Sequence, residues 1–471
     1  MDINVFFKYY GIRPNSRPFD NSDDAKQDTV FDEIKGTSYH PEWLKFFGQE
    51  STPSTSVIFG RKGSGKTALR IQMRRKIEEY NRSDGAKERG KIFVVEYVDF
   101  NPFLSAFQQR TKNKKNIFAQ WTIADHIDAI LSLAVTQYVS EILDDPENNL
   151  KKLHPSQKRD LLQFALMYDV PPLKNQLDRW NNLAKKLKYF PWWNKLKNIG
   201  HFLTLGISYL RKWWCRSSAV KKIRNAIWVI VDDANRTAAL VSVNKFNGND
   251  FNALLIPMQD KERETRTDNS TNDESDVVNH RFRILQSFKE IIKNSGYSGI
   301  LVIVDQIDEP TLIEGSDSKM WNFIRSICCN KLLQESRLGF KLLLPGELCS
   351  QFRKETPEFK TRFRPDKQNL VESLDWSGKS LIDLVNRRLK ACSERNDAVR
   401  LTNMFDETIR DKLEIEFGKL KYPRNVFQFL HQVLQQHLDG FSSDDCVHLI
   451  TDTTFQVASC NYTHIQEMMK E

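Results

Sequence analysis

The sequence contains few cysteines and no pattern that would pair them. Seven cysteines are scattered over 471 residues, and no two have the C-x-x-C spacing. An odd number without metal-ligand spacing argues against a disulfide framework and against a zinc site. The pattern indicates reduced, mostly buried thiols in a cytosolic protein.

The sequence also lacks a secretory signal and a membrane span. Residues 1–5 include neither a basic segment nor the start of a long apolar one. No apolar run reaches the roughly 18 residues that a spanning helix requires. We therefore expect a cytoplasmic localisation.

Acidic residues are missing from one segment of the chain. Residues 181–225 hold eleven Lys and Arg and no Asp or Glu. Because the whole chain has a net charge of +9, all other residues together carry a net charge of −2. Four tryptophans lie within the same segment, as two Trp-Trp pairs. Three interpretations stay open: binding of DNA or RNA, contact with a membrane interface, and a helical hairpin that packs on the protein.

A glycine-rich turn lies between a short apolar run, residues 57–59, and a segment with helical periodicity. The turn fully matches the phosphate-binding loop pattern G-x-x-x-x-G-K-[ST]. The flanking strand and helix argue against a chance glycine-rich turn. The predicted nucleotide-binding residues are Gly60, Arg61, Lys62, Gly63, Ser64, Gly65, Lys66, Thr67 and Ala68.

Each residue type in this loop has a physical role. Glycines allow sharp turns and a close approach of the backbone to a phosphate. The exposed N–H groups and the positive end of the following helix attract the anion. We assign Lys66 to the β- and γ-phosphates and Thr67 to Mg²⁺. The predicted cofactors are therefore ATP and Mg²⁺.

A second informative stretch, residues 300–310, has five apolar residues followed by acids. Such a run suits a buried parallel strand whose carboxylate lies at the edge where ligands bind. We assign Asp305 to the metal and Glu309 to the attacking water, while Asp308 could serve either task. Asp232-Asp233 also follows an apolar run, but it has no Glu after it, and we prefer 305–309.

Strands and helices alternate through residues 55–345, which predicts an α/β fold with a mainly parallel sheet covered by helices on both faces. The predicted strands cover 57–59, 91–99, 226–233, 300–304 and 338–345, and a helical region follows from about 378. Residues 259–279 are polar and predict a mobile loop. The predicted parts are an N-terminal arm and helical segment (1–50), the first half of an ATPase core (51–145), a basic Trp-rich insertion (146–225), the second half of the core (226–350) and a helical lid or sensor domain (351–471).

Two absent motifs narrow the nucleotide and the class. No N-K-x-D motif for guanine occurs, which favours ATP over GTP, and no L-S-G-G-Q stretch of ABC-type ATPases occurs. The short Gly378-Lys379-Ser380 lacks the upstream glycine of a phosphate loop. We interpret it as a helix start.

Three stretches together resemble the STAND and KAP-type P-loop ATPases, which share the additional-strand-catalytic-glutamate class with the AAA+ proteins. They are the loop 60–67, the D-x-hydrophobic-D-E run 305–309, which is similar to that of NACHT-type ATPases, and residues 422–425, Tyr-Pro-Arg-Asn. The resemblance covers about residues 30–435 and implies a three-layer αβα core with a helical lid. KAP-type members carry transmembrane helices between the two nucleotide motifs. This chain departs from them, because its insertion at that place has no apolar run long enough to span a membrane.

The resemblance also implies roles for arginines. An Arg after a Pro in the lid often contacts the γ-phosphate, which makes Arg424 a sensor candidate; the alternative is a surface arginine at a helix N-terminus. Residues 338–345 would be the sensor strand, although Pro345-Gly346-Glu347 replaces the usual polar residue at its end. The finger candidates are Arg353, Arg362 and Arg364.

The function implied by the resemblance is a Mg²⁺-dependent ATPase that acts as a regulatory switch. Such proteins typically sense a ligand, close the lid, oligomerise and control an effector. We expect a separate effector protein, a homo-oligomer and, by analogy alone, a setting in bacterial anti-phage defence. The alternative is a loader or repair motor stimulated by DNA or RNA. A scaffold that cannot hydrolyse is a third interpretation, against which the intact Lys66, Thr67, Asp305 and Glu309 argue.

Overall fold

The computed structural model describes most of the chain on either side of a long central gap. A few isolated positions between 149 and 164 are also described. The continuous described ranges are 3–19, 28–34, 40–111, 117–144, 273–328, 330–394, 399–440 and 448–468.

In the part of the chain that the structure describes, five parallel strands form one sheet, in the order β2-β3-β4-β1-β5. The strands are β1 (Ser56–Gly60), β2 (Lys91–Tyr97), β3 (Tyr297–Val304), β4 (Leu338–Pro345) and β5 (Asn369–Val371). The predicted α/β class with a mainly parallel sheet is confirmed. Strand β5 was not predicted, because a three-residue strand carries too little pattern to be seen. The strand expected at 226–233 lies outside the described residues.

Side chains of the strands alternate between two separate hydrophobic clusters. Val57 and Phe59 belong to the larger cluster, whereas Ile58 belongs to the smaller one. This is the period of two expected for a strand buried on both faces. Helices cover both faces, so the arrangement is compatible with a three-layer αβα fold.

The helices described before the central gap are α1 (Ile3–Tyr9), α2 (Thr29–Glu33), α3 (Trp43–Phe47), α4 (Lys66–Arg82), α5 (Asp84–Arg89), α6 (Asn101–Arg110) and α7 (Ile123–Asp144), with a 3₁₀ turn at Ile117–Ala119. Several of them pack on the two faces of the sheet. Trp43, Phe46 and Phe47 of α3 and Leu69 and Met73 of α4 lie in the smaller cluster. Helix α7 packs in the larger cluster on the other face.

The helices after the gap begin with a correction to the predicted mobile loop. Residues 273–279 belong to a helix that begins at Asp273. Three acids in the first four residues suit a helix N-terminus, since negative charge is stabilised there. The polarity of residues 273–279 suits a loop and a helix start equally well, and the sequence analysis predicted the loop. These helices are α8 (Asp273–Asn294), α9 (Asp317–Arg325), α10 (Asn330–Leu333), α11 (Leu348–Lys354), α12 (Pro357–Phe363), α13 (Gly378–Cys392), α14 (Glu407–Leu420), α15 (Pro423–Asp439) and α16 (Asp452–Met468), with a 3₁₀ turn at Leu401–Met404.

Helix α13 confirms the helix start predicted at Gly378. Ser377 caps the helix, and its Oγ accepts a hydrogen bond from the N–H of Ser380. Gly378 is also required by packing, because a Cβ there would lie 1.8 Å from the carbonyl oxygen of Glu414 on α14. The Gly-Lys-Ser run therefore brings two helices together and is no second phosphate loop.

The N-terminal arm packs on the C-terminal helices and not on the sheet. Phe6, Phe7 and Ile12 share one hydrophobic cluster with residues of α13 to α16. Arg388 of α13 is buried, donates through Nε to the carbonyl oxygen of Pro18 at 2.7 Å, and pairs with Asp28. The two ends of the chain thus form one helical unit.

A lysine lies inside the apolar strand β4. Lys341 is buried, and its Nζ donates to the carbonyl oxygens of Phe46 at 2.6 Å and Phe47 at 3.0 Å and to Ser54 Oγ at 2.9 Å. Burial lowers the pKa of Lys341 to about 7. These oxygens satisfy the amino group, so the lysine joins β4 to the end of α3 without an unpaired donor.

We expect His126 on α7 to make the protein less stable in acid. Its ring is buried between Tyr97 OH and the carbonyl oxygen of Phe323, at 3.2 and 2.9 Å, and burial lowers its pKa from 6.5 to about 4. The unfolded chain therefore binds the proton first, so the stability that this group contributes is present above pH 6.5 and is lost as the pH falls through 4. The loss is about 3 kcal/mol.

Denaturant unfolding at several pH values between 4 and 7 measures this effect. His126→Phe should flatten the dependence of the free energy of unfolding on pH, whatever it does to stability at pH 7. His154→Gln, at an exposed position, serves as the matched control and should keep the wild-type slope. An equal slope in wild type and His126→Phe would contradict the assignment.

Candidate functional site

The predicted phosphate loop connects β1 directly to α4. Gly63 and Gly65 have φ angles of 85° and 98°, in the region that favours glycine, and Gly65 caps α4. A Cβ on Gly60 would lie 2.6 Å from Ser64 Oγ, and one on Gly63 would lie 2.8 Å from the Cβ of Arg424. The two glycines of the pattern, and Gly63 between them, are thus needed by the backbone geometry or by close packing.

Lys66, the first residue of α4, points back over the loop. Its Nζ donates to the carbonyl oxygen of Gly60 at 2.7 Å. Burial lowers the pKa of Lys66, while the charges of Asp305, Asp308 and Glu347 oppose this shift. The amino group therefore lies in the field of three acids, and two of them belong to the predicted acidic run.

The acids lie where β3 ends, at the same edge of the sheet as the loop. Asp305 follows β3 and is 1% exposed. Burial raises the pKa of Asp305, and the positive charges of Arg70 and Lys66 oppose the rise. Asp308 and Glu309 are exposed. The structure thus brings all three predicted acids to the loop's edge of the sheet, with one buried and two open to solvent.

Two residues that the sequence analysis did not single out connect these acids. Arg70 of α4 is buried, and its Nε lies 3.6 Å from Asp305 Oδ2. Its Nη1 donates to Gln306 Oε1 at 3.1 Å, and Gln306 Nε2 donates to Glu309 Oε1. Arg70 lies four residues after Lys66, so the two side chains lie on the same face of α4. This spacing was the signal in the sequence that could have placed Arg70 at the site. Gln306 carried no such signal.

The helical unit contacts the back of the loop. The indole Nε1 of Trp376 donates to the carbonyl oxygen of Ser64 at 3.0 Å, and the Arg424 N–H donates to that of Gly63 at 3.4 Å. Arg424 also contributes a positive field at Lys66. The structure thus brings the predicted sensor candidate Arg424 to the loop, whereas Trp376 was missed.

The other arginine candidates have partners elsewhere. Arg353 pairs with Glu372, and Arg364 pairs with Asp366 at 2.8 Å, both on the surface. Arg362 is exposed on α12. None of their described contacts reaches the phosphate loop. The turn after β4, by contrast, holds Glu347 close enough to act on Lys66, and Gly346 N–H donates to the carbonyl oxygen of Gly60 at 3.0 Å.

The oxygen atoms at this edge fit a phosphate-bound cation better than a metal held by protein alone. No group of three or more His, Cys, Asp or Glu side chains that could hold a metal occurs among the described residues. Ser64 Oγ and Asp305 Oδ2 are buried and make no hydrogen bond within the described structure. Asp305 and Thr67, the residue after Lys66, fit a hard cation that takes its other ligands from phosphate and water.

The alternative acids Asp232-Asp233, the basic segment 181–225 and residues 259–272 of the predicted mobile loop lie outside the described residues. Of the helices that the structure describes, none is both long and apolar enough to span a membrane. The described cysteines Cys328, Cys349 and Cys392 are buried, Cys460 is exposed, and all four are free thiols, as expected.

Comparison with protein families, with curated proteins and with solved structures finds no match to this chain.

Proposed function

We propose that this protein is a Mg²⁺-dependent ATPase of the P-loop class that acts as a regulatory switch. One observation carries the proposal: a glycine-lined turn with Lys66 lies at the same sheet edge as Asp305, Asp308 and Glu309. A cationic turn at a helix N-terminus attracts a polyphosphate, and the acids opposite supply groups for its metal and its water.

The strand order supports the finer assignment to the additional-strand-catalytic-glutamate class. Strand β4 lies between β1, which leads into the loop, and β3, which leads into the acids. One strand is thus inserted between the two nucleotide motifs, as the name of the class describes. In this proposal β1 to β5 with their flanking helices form the three-layer ATPase core, and α13 to α16 form the lid.

The residues have separate roles in the proposed reaction. Lys66 and the N–H groups of the loop bind the phosphates. Thr67 and Asp305 would hold Mg²⁺, which when bound neutralises phosphate charge. Glu309 is exposed and accepts the proton of the attacking water or orients it, and Asp308 is the second candidate for that task.

The contacts between loop and lid support a switch. Trp376 and Arg424 of the helical unit bond the backbone of the loop at Ser64 and Gly63. A phosphate in the loop would change the position of these carbonyls, and thereby bias the position of the helical unit. The output of such a switch would be control of a separate effector protein, through a homo-oligomer, in the cytoplasm.

A second candidate function is an ATPase stimulated by DNA or RNA. The eleven basic and four tryptophan side chains of residues 181–225 favour it, because cations bind phosphates and aromatic rings stack on bases. Affinity through such a segment would fall steeply with salt.

Measuring ATP hydrolysis with and without DNA or RNA, alongside the mass in solution, tests both candidates. We expect turnover that requires Mg²⁺ and a mass that changes with nucleotide. Stimulation by nucleic acid that disappears when the basic residues of 181–225 are replaced would instead favour the second candidate. Failure to bind ATP would contradict both.

A further inference from the structure

Gln306 has a backbone conformation that is uncommon for its residue type. Its φ angle is 64°, in the left-handed region that is unfavourable for a residue with a side chain. It lies directly after the buried Asp305 and starts the turn in which the Glu309 N–H donates to the Gln306 carbonyl oxygen at 3.2 Å. This conformation places the amide side chain between Arg70 and Glu309.

The oxygen and the nitrogen of the Gln306 side-chain amide each form a hydrogen bond with a charged group. The oxygen Oε1 accepts from Arg70 Nη1 at 3.1 Å, and the nitrogen Nε2 donates to Glu309 Oε1. A guanidinium only donates and a carboxylate only accepts, so the amide can face them in one orientation only. Hydrogen bonds to charged groups are also stronger than neutral ones.

Arg70 is itself held in place. The side chain is 3% exposed, and its Nε lies 3.6 Å from Asp305 Oδ2 and 3.7 Å from Glu96 Oε1. Glu96, on the neighbouring strand β2, accepts from Arg74 at 2.6 Å. The guanidinium is therefore buried beside two carboxylates, and its Nη1 donates to Gln306, which in turn bonds to Glu309.

We propose that Gln306, clamped by Arg70, is the positioning residue for the Glu309 carboxylate. The inference rests on the proposed ATPase function and adds how its exposed water-orienting group is held. Gln306 engages Oε1 and thereby sets the direction of the second oxygen. Because the bond is to one oxygen only, the other is left to accept a proton from water.

The charged groups on either side of position 306 explain why a glutamine suits it. A Glu at 306 would have no N–H to donate to Glu309 and would place two carboxylates side by side. A Met would keep the length of the side chain but lose both hydrogen bonds, leaving Glu309 to rotate in solvent. Both changes act through Glu309, while the phosphate loop stays intact.

The test is a double-mutant cycle between positions 306 and 309, using the full-length chain with ATP and Mg²⁺. Gln306→Met should lower kcat about 10-fold, consistent with a misplaced catalytic group, and leave KM within about 3-fold of wild type. In the Glu309→Gln background the same change should have no further effect, because Gln306 acts only through Glu309. An equal loss in both backgrounds would overturn the proposal.

Gln334→Ala is the matched control and should behave as wild type, because Gln334 is an exposed glutamine just before the opposite end of β4. The split between kcat and KM is a readout that a general loss of structure would not reproduce. Faster hydrolysis by Gln306→Met would also overturn the proposal, because it would show that Gln306 restrains Glu309.

The measurements separate this inference from the function on which it rests. If the wild-type protein neither binds nor hydrolyses ATP, the proposed function fails. If the wild type is active and Gln306→Met is indistinguishable from it, only the positioning role fails. Thermal unfolding of each variant, with and without ATP, identifies losses of rate that arise from a poorly folded protein.

Discussion

Replacing Lys66 with Ala is expected to weaken ATP binding by at least about 100-fold, which corresponds to about 3 kcal/mol. The amino group is the cation that points back over the glycine turn, where its Nζ donates to the Gly60 carbonyl oxygen. Without it the negative charges of Asp305, Asp308 and Glu347 are no longer offset by the lysine, and the positive charge of Arg424 and the loop N–H groups are left to attract a polyphosphate. Calorimetry or a nucleotide-dependent shift in the melting temperature measures the loss.

Lys62→Ala is the matched control, because Lys62 belongs to the same loop but its side chain is exposed. This variant removes the same charge, and we expect only a small loss of affinity, since a solvated charge contributes little. A melting temperature near that of the wild type would show that Lys66→Ala is folded. Unchanged ATP affinity in a folded Lys66→Ala would contradict the assignment of the phosphate site.

Glu309→Gln is expected to bind ATP as the wild type does but to hydrolyse it about 100- to 1,000-fold more slowly. The change keeps the shape of the side chain and removes its capacity to accept a proton, and general bases contribute effects of this size. KM should stay within about 3-fold, because Glu309 is exposed beside the loop and does not form it. Steady-state kinetics together with direct measurement of binding separates the two effects.

Asp308 and Glu314 give the comparisons for this variant. Glu314→Gln lies five residues further along and removes an exposed acid that pairs with Lys319, so turnover should be unchanged. Asp308→Asn tests the second candidate for the same task and should lower turnover less than Glu309→Gln does. Normal turnover by Glu309→Gln, with a large loss in Asp308→Asn, would transfer the role to Asp308.

The fold class could be predicted because its signals are local. Apolar runs bounded by turn residues marked β1 to β4, and helical periodicity marked α7, α8 and the C-terminal helices. Strand β5 could not be predicted, because three residues carry no period and its pairing with β1 is decided by the sheet. The start of α8 at Asp273 was missed because acidic residues suit both a polar loop and a helix N-terminus.

Packing also decided where the first residues of the chain lie. Phe6, Phe7 and Ile12 are aromatic or apolar in sequence, but nothing local indicates that they pack on the C-terminal helices, which lie hundreds of residues further along the chain. The same holds for the pair between Asp28 and Arg388. Contacts at such separations depend on the complete set of helices, and a pattern within a short window contains no information about them.

The residue order alone indicated a cationic glycine turn and a run of acids after an apolar strand, because the residues of each motif are adjacent in the chain. The fold brings these two stretches to one edge of a sheet, with β4 between their strands. It also decided that Arg70 and Gln306 join the acids and that Trp376 contacts the turn. Adjacency in sequence conveys chemical type, whereas distances between remote side chains arise only when the core packs.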